Sequence, residues 1–377
     1  MIPFNKPFIS GDELRYIKEA VESGKISGNG LFTQRCHQFF QERYGYHRCL
    51  LTSSCTDALE MAALLLDLGP GDEVILPSFT FVSTANAFVL RGATLVFADS
   101  EPHHPNMDAH QVAQLITPRT KAIVVVHYAG MSCDMAPILA LAKKHQLAVV
   151  EDAAQGIDAT YEGKPLGGIG DLAAFSFHET KNVMSGEGGM LVINNPELVE
   201  RAEIIWEKGT NRVAFFKGEV SKYGWVDLGS SFLPSEITAA FLFAQLEHLD
   251  EIQARRLAVW HEYHTALADL EEKGLIRRPQ LPPYASLNGH LYYIEVLGEG
   301  KRQSLIDHLG RADVLAVFHY LPLHQSPFFE ERYVGAPLPH CVRFSEQLLR
   351  LPLYYGLQAE AQQHIIATIK DWAHAQL

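Results

Sequence analysis

Three short runs combine residue types whose chemistry could work together. Thr52-Ser53-Ser54-Cys55-Thr56-Asp57-Ala58-Leu59 leaves a β-rich run and enters a helical one. Small hydroxyl residues at such a junction let unpaired backbone N–H groups and side-chain hydroxyls converge on a phosphate, aided by the helix dipole. The same residues also suit a plain N-cap from Ser54 or Thr56. In the second run, Val149-Val150-Glu151-Asp152-Ala153-Ala154-Gln155, an apolar stretch ends on two acids. Asp152 could pair with the protonated nitrogen of an aromatic ring, cap a helix, or join Glu151 on a metal, although no His cluster accompanies them. The third run passes from Ala173-Ala174-Phe175-Ser176-Phe177 to Lys181 and on to Ser185-Gly186-Glu187-Gly188-Gly189. A lysine amine desolvated at a strand end has a lowered pKa and can form an imine and shuttle protons, whereas most lysines are solvated surface charges.

In chain order the three runs give a phosphate site, a ring acid and a lysine, the parts a pyridoxal phosphate (PLP) site needs. Neither Gly-x-Gly-x-x-Gly nor Gly-x-x-x-x-Gly-Lys-Ser/Thr occurs, which counts against a dinucleotide or nucleoside-triphosphate site.

These residues have to be positioned by strand ends, because open α/β sheets bind ligands at the carboxyl ends of their strands. Runs rich in β-branched and apolar residues predict strands over Arg48–Thr52, Glu73–Leu76, Thr94–Ala98, Ala122–Val126, Ala148–Val150, Leu172–Phe177 and Met190–Ile193, with helices such as Thr56–Leu66 and Ala136–His145 between them. The fold class that follows is α/β, a mostly parallel sheet with helices on both faces. Beyond about residue 196 the pattern turns helical, and one long helix is expected over Pro234–Leu270. A smaller α/β unit should follow, with strands at Leu291–Val296 and Val314–His319 and a closing helix over Ala359–Ala375. The expected division is a large cofactor-binding domain, 1–245, and a small C-terminal domain, 246–377.

The chain has 377 residues, and its 31 basic against 44 acidic side chains leave a formal charge of −13. That balance argues against nucleic acid or an anionic membrane as the main partner, while a small anionic substrate remains possible if basic groups converge locally. Five scattered cysteines without a C-x-x-C pair suggest a reducing compartment rather than a disulfide framework. Nothing at the N-terminus reads as a signal peptide and no apolar stretch reaches spanning length, so a cytoplasmic protein is expected.

Read from Lys6-Pro7-Phe8-Ile9 through Ser27-Gly28-Asn29-Gly30 to His319-Tyr320-Leu321-Pro322-Leu323-His324, the chain resembles the DegT-type sugar-nucleotide aminotransferases of the aspartate-aminotransferase fold group (fold type I). The resemblance implies that Cys55 and Thr56 lend backbone amides to the PLP phosphate, Ser176 adds its hydroxyl, and Phe81 stacks on the ring. It further implies that Asp152 holds the pyridine nitrogen, Gln155 contacts the ring hydroxyl and Lys181 forms the imine. Two departures stand out. The family usually has Ser-Gly-Thr where this chain has Ser54-Cys55-Thr56. Where it commonly has an Asn reaching the partner subunit's phosphate and an Arg, this chain has Ser231 and Leu233.

The resemblance also implies a homodimer, with pyridoxamine phosphate as an intermediate, L-glutamate as donor and a dTDP-4-keto-6-deoxyhexose as acceptor. The sequence is most similar to members that make dTDP-4-amino-4,6-dideoxygalactose for enterobacterial common antigen. On an acidic protein the diphosphate needs local cations, which points to the loop Lys208–Arg212, with Arg212, and to Lys217. His319 and Tyr320 are candidates for substrate contact, with a structural histidine as the alternative. A PLP-dependent sugar dehydratase is a rival, but such relatives replace the lysine, and Lys181 is present. A non-catalytic PLP-binding protein would need a missing catalytic element or a DNA-binding segment, and neither is visible.

Overall fold

The computed structural model describes residues 1–376. Its larger sheet is built from β1 (Arg48–Thr52), β2 (Glu73–Pro77), β3 (Thr94–Ala98), β4 (Thr120–Val126), β5 (Ala148–Asp152), β8 (Leu172–Ser176) and β9 (Gly189–Ile193). The strand order is β1-β9-β8-β5-β4-β2-β3. A small hairpin, β6 (Thr160–Tyr161) with β7 (Lys164–Pro165), lies outside it. β3, β2, β4, β5 and β8 are mutually parallel, and β9 runs against both β8 and β1. The reversal is local: the loop between β8 and β9 folds back on itself, with the Phe177 amide donating to the Gly188 carbonyl at 2.8 Å, so no crossover helix intervenes.

All seven strand expectations are met to within two residues. Their apolar runs are continuous because helices cover both faces: all five residues of β2 and of β9 are buried. The carboxyl ends of β1, β5 and β8 deliver Ser54–Thr56, Asp152 and Ser176 to one edge of the sheet.

The long helix expected over Pro234–Leu270 is instead three helices, Glu236–Glu247, Leu249–Ala266 and Ala268–Glu272. His248 leaves helical geometry at φ −104°, ψ 9°. The physical reason is packing. Ala239, Leu242 and Leu246 are buried with Tyr16, Phe32 and Phe40 of the N-terminal helices, whereas Val259, Trp260 and Tyr263 join a separate core with Ile294, Ile365 and Trp372. Helical spacing continues through the break because each segment buries residues three and four apart, Ala239, Leu242 and Leu246 in one and Ile252, Arg256, Val259 and Tyr263 in the other.

That second core lies on a four-stranded antiparallel sheet: β10 (Ile276–Arg277), β11 (Tyr292–Val296), β12 (Val317–Phe318) and β13 (Leu348–Leu351), in the order β10-β11-β13-β12. The strand expected over Val314–His319 is shortened to Val317–Phe318, since Val314 bridges Ile2 near the N-terminus and His319 turns into the cavity described below. The closing helix runs Ala359–His374. β13 has no counterpart in the sequence pattern, and it proves important. Among the described residues no helix is long and apolar enough to cross a membrane.

The Ser27-Gly28-Asn29-Gly30 motif does structural work away from the cavity. The buried Glu236 carboxylate accepts from the amides of Gly30 (2.9 Å), Phe32 (2.7 Å) and Thr33 (3.1 Å), so it caps the helix Leu31–Tyr44 from a distant part of the chain. Gly30 leaves room for that carboxylate, because a Cβ there would overlap the Glu236 side chain.

Candidate active site

A cavity of about 790 Å³ opens at the carboxyl edge of the larger sheet, closed on its far side by β12, β13 and the two residues before β11, His290 and Leu291. Of the residues singled out from sequence, Cys55, Thr56, Phe81, Asp152, Gln155, Ser176, Lys181, His319 and Tyr320 all line it.

The phosphate end is the start of the helix Cys55–Leu65. Ser54 caps it, accepting the Asp57 amide on its hydroxyl at 3.0 Å. In an α-helix the first amides have no intrahelical acceptor, so those of Cys55 and Thr56 are free to meet an anion. Capping and phosphate binding are therefore compatible uses of one turn. The side chain at 55 is accommodated because it packs, partly buried, against the apolar core, and that burial pushes the thiol pKa well up. The glycine required by close approach is on the neighbouring strand: a Cβ on Gly189 would overlap the backbone of Ser54 and Cys55. Thr56 donates its hydroxyl to Ser83 at 2.8 Å, and Ser176 takes the His178 amide at 3.3 Å.

Asp152 is buried, and burial raises its pKa; the Thr84 hydroxyl, donating at 2.6 Å, and the Ala154 amide at 3.2 Å oppose that rise. Thr84 spends its one proton on Asp152, so the Thr80 hydroxyl, 2.7 Å away, donates to Thr84. Glu151 points to the opposite face, as the strand's period of two requires. It accepts from the Gly167 (2.8 Å), Ile169 (2.8 Å) and Gly170 (2.6 Å) amides and from His127 Nε2 (3.0 Å). His127 Nδ1 accepts the Cys133 amide at 3.2 Å, which assigns its proton to Nε2. Glu151 thus secures the strand beneath Asp152.

Lys181 lies in the loop between β8 and β9, its amide donating to the His178 carbonyl at 2.9 Å. Its neighbour Asn182 anchors the loop from behind, donating to Gln253 Oε1 (2.7 Å) and the Asn288 carbonyl (2.8 Å) and facing His290 Nδ1 at 2.9 Å. Burial lowers the Lys181 pKa, partly offset by Cys55 and Asp152, and Arg350 lowers it further.

Phe81 is 56% exposed at the N-cap of the helix Val82–Val89, an apolar face turned toward the cavity. Gln155 accepts the Ala129 amide at 2.7 Å and donates to the Tyr320 hydroxyl at 3.2 Å. His319 stacks on Tyr320 with ring centroids 3.6 Å apart and faces the Tyr128 hydroxyl at 3.2 Å. Burial, with Arg350 and Lys181 nearby, drives the His319 pKa far down, so this imidazole is neutral.

Ser231, Arg212 and Lys217 do not line this cavity. Ser231 is exposed and bridges Glu207. Arg212 lies over the Phe216 ring at 5.2 Å, and Lys217 pairs with Glu203 at 3.0 Å. The Lys208–Arg212 loop shares their exposed surface, with Lys208 pairing with Glu207 at 3.7 Å. Two residues that do line the cavity, Thr84 and Arg350, were not singled out from sequence. Thr84 sits in a run of small helix residues without a signature. Arg350 lies on β13, the strand the pattern did not mark.

Free amides at a helix start, a buried carboxylate and a desolvated lysine that line one cavity fit PLP, which, when bound, supplies the electron sink for a carbanion. Fold and site together define a PLP-dependent enzyme of fold type I. The model of the DegT/DnrJ/EryC1/StrS aminotransferase family matches residues 7–370, and the chain belongs to that family of PLP-dependent sugar aminotransferases. It is 34% identical over 383 residues to the spore coat polysaccharide biosynthesis protein SpsC of Bacillus subtilis, covering 98% of this chain and 96% of that one. It is also 34% identical over 376 residues to GDP-perosamine synthase of Caulobacter vibrioides, covering 96% of each. Among solved structures, the sugar aminotransferase Spr1654 of Streptococcus pneumoniae in its PMP form superposes with a TM-score of 0.92 at 27% identity over 100% of both chains, and its PLP form with 0.91.

Proposed function

We propose that this enzyme moves the amino group of L-glutamate to C4 of dTDP-4-dehydro-6-deoxy-D-glucose, giving dTDP-4-amino-4,6-dideoxy-D-galactose and 2-oxoglutarate. The observation that carries the reaction type is the meeting of Lys181 and Asp152 in one cavity with the free amides of Cys55 and Thr56. Asp152 holds the ring nitrogen protonated, Gln155 contacts the ring hydroxyl and Phe81 covers one ring face. The Cys55 and Thr56 amides and the Ser176 hydroxyl hold the phosphate. Lys181, as a free amine, takes the proton from the donor's α-carbon and later returns one to C4 of the sugar. A lysine at this position favours amine transfer over dehydration.

The dTDP sugar is supported by the sequence resemblance, and with it a place in enterobacterial common antigen synthesis in the cytoplasm. We further propose a homodimer in which the exposed segment holding Arg212, Lys217 and Ser231 serves the partner's cavity. That segment bears Phe216, Tyr223 and Trp225 at 70%, 53% and 81% exposure, apolar area that a second copy would cover. The division of the chain into 1–245 and 246–377 has support from the helix break at His248 and from the separate core of the second sheet.

The test is a panel of 4-keto and 3-keto sugars on dTDP, UDP and GDP, each with L-glutamate, analysed for the aminated product. Amination at C4 of the dTDP hexose alone is expected. Amination at C3, or preference for a UDP or GDP sugar, rejects the assignment while leaving the aminotransferase.

A further inference from the structure

His290 stands two residues before β11, and its ring lines the cavity that holds Lys181, His319 and Arg350. Three contacts fix it in place. Its amide donates to Asn288 Oδ1 at 3.0 Å, its carbonyl accepts from Arg256 Nη2 at 2.5 Å, and its Nδ1 faces Asn182 Oδ1 at 2.9 Å. Asn288 is pinned in turn, spending both Nδ2 protons on the carbonyls of Gln155 (2.7 Å) and Ile157 (2.9 Å). Asn182 likewise spends both of its Nδ2 protons, on Gln253 Oε1 and the Asn288 carbonyl, so its Oδ1 accepts and His290 Nδ1 carries the ring proton. Burial and the charges of Lys181, Arg256 and Arg350 oppose a second proton on this ring, and Arg350 itself has no counter-ion among the described residues. Nε2 is therefore a bare lone pair, without a hydrogen-bond partner among the described residues, on a ring that lines the cavity. A fixed, desolvated acceptor of this kind calls for a donor in the cavity. The Lys181 amine is such a donor, and Asn182 ties the two together: it follows the lysine in the chain and orients the imidazole.

We propose that His290 is a positioning residue for Lys181: its Nε2 accepts one N–H of the lysine amine once that amine is free of the cofactor, which turns the amine's own lone pair toward the carbon to be deprotonated. The inference rests on the reading of Lys181 as the proton carrier. The imidazole takes no proton in this role. It accepts from the amine and from the ammonium alike, so it holds the group before and after a proton moves. Acceptance by a neutral nitrogen also favours the ammonium, in a setting that already holds the Cys55 thiol, the Asp152 carboxylate and the Arg350 guanidinium.

Borohydride reduction of the PLP-loaded wild type comes first, since cofactor on any other lysine would sink the Lys181 reading itself. In the apoenzyme, trace acetic anhydride labelling across a pH series, scored by peptide mass against the exposed Lys164, follows the titration of Lys181. His290→Phe is expected to lower the midpoint. Well below it, Lys181 should label about 10-fold more, relative to its plateau, than in the wild type, because hydrogen bonds to charged groups are the stronger ones. His290→Gln keeps an acceptor and should recover part of the shift. In rapid mixing of the PLP-loaded enzyme with L-glutamate, His290→Phe should lower the limiting rate about 10-fold and enlarge the isotope effect of α-deuterated glutamate. The half-saturating glutamate concentration should stay near that of the wild type. An unchanged Lys181 midpoint in His290→Phe would overturn the proposal, and a raised half-saturation for glutamate or for the keto sugar would then assign Nε2 to that ligand. Equal midpoint shifts in both variants, each with lowered thermal stability, would overturn it in favour of a structural role.

Discussion

The Thr84 hydroxyl donates a 2.6 Å hydrogen bond to Asp152 Oδ2, and this bond opposes the effect of burial on the charge at the centre of the site. Burial pushes the Asp152 pKa up, toward the neutral acid, while the hydroxyl and the Ala154 amide favour the carboxylate. Only the carboxylate can keep a pyridine nitrogen protonated.

Asp152→Asn should therefore retain bound PLP but lose about 10²- to 10³-fold in the glutamate half-reaction, because the ring loses its electrostatic partner. Thr84→Val should lose about 10-fold by the same route, since hydrogen bonds to charged groups are stronger than neutral ones. Stopped-flow absorbance of the cofactor measures both. A normal rate in Asp152→Asn would remove this residue from the site.

Lys181→Ala should abolish covalent retention of the cofactor and slow amine transfer by about 10³-fold or more. Borohydride reduction followed by peptide mass analysis should show the cofactor on Lys181 in the wild type and on no lysine in the variant. Labelling at a different lysine would refute the assignment.

With the cofactor removed, the Lys181 amine should titrate below its ordinary 10.5, as burial and the Arg350 charge disfavour the ammonium. The rate of PLP reconstitution should accordingly rise with pH around a midpoint below that value. Asp152 stabilises the ammonium, so Asp152→Asn should move the midpoint down. Arg350 destabilises it, so Arg350→Gln should move it up. Shifts of the opposite sign would contradict this electrostatic picture.

Gly186, in the loop between β8 and β9, and Gly189, the first residue of β9, should behave differently. Gly189→Ala forces a Cβ into the backbone of Ser54 and Cys55 and should weaken PLP affinity about 10-fold or more, since the phosphate turn must move. Gly186 has open space around it but a φ of +78°, so Gly186→Ala should cost about 1 kcal/mol of stability and leave PLP affinity unchanged. Equilibrium dialysis of PLP and thermal melts distinguish the two effects.

Much of this was legible in the chain itself. The seven strands of the larger sheet could be read because burial on both faces demands unbroken apolar runs, and the ends of those runs carried Cys55-Thr56, Asp152 and Ser176 toward Lys181. The single helix expected over Pro234–Leu270 failed because periodicity reports which residues are buried, not against what, and two cores claim the two halves. Arg212 and Lys217 suited an anion by charge, yet Glu203 holds Lys217 and neither faces the cavity.

What the sequence determined by itself is the set of groups attached to strand ends, because a strand's residues and the turn after it are local. What only the tertiary structure decided is which groups from distant segments complete the cavity. Thr84 reaches Asp152 across 68 positions, and Gln155 meets Tyr320 across 165. Arg350 joins them on a strand with just four residues, too short to show a period, and its lack of a counter-ion is a property of the space around it.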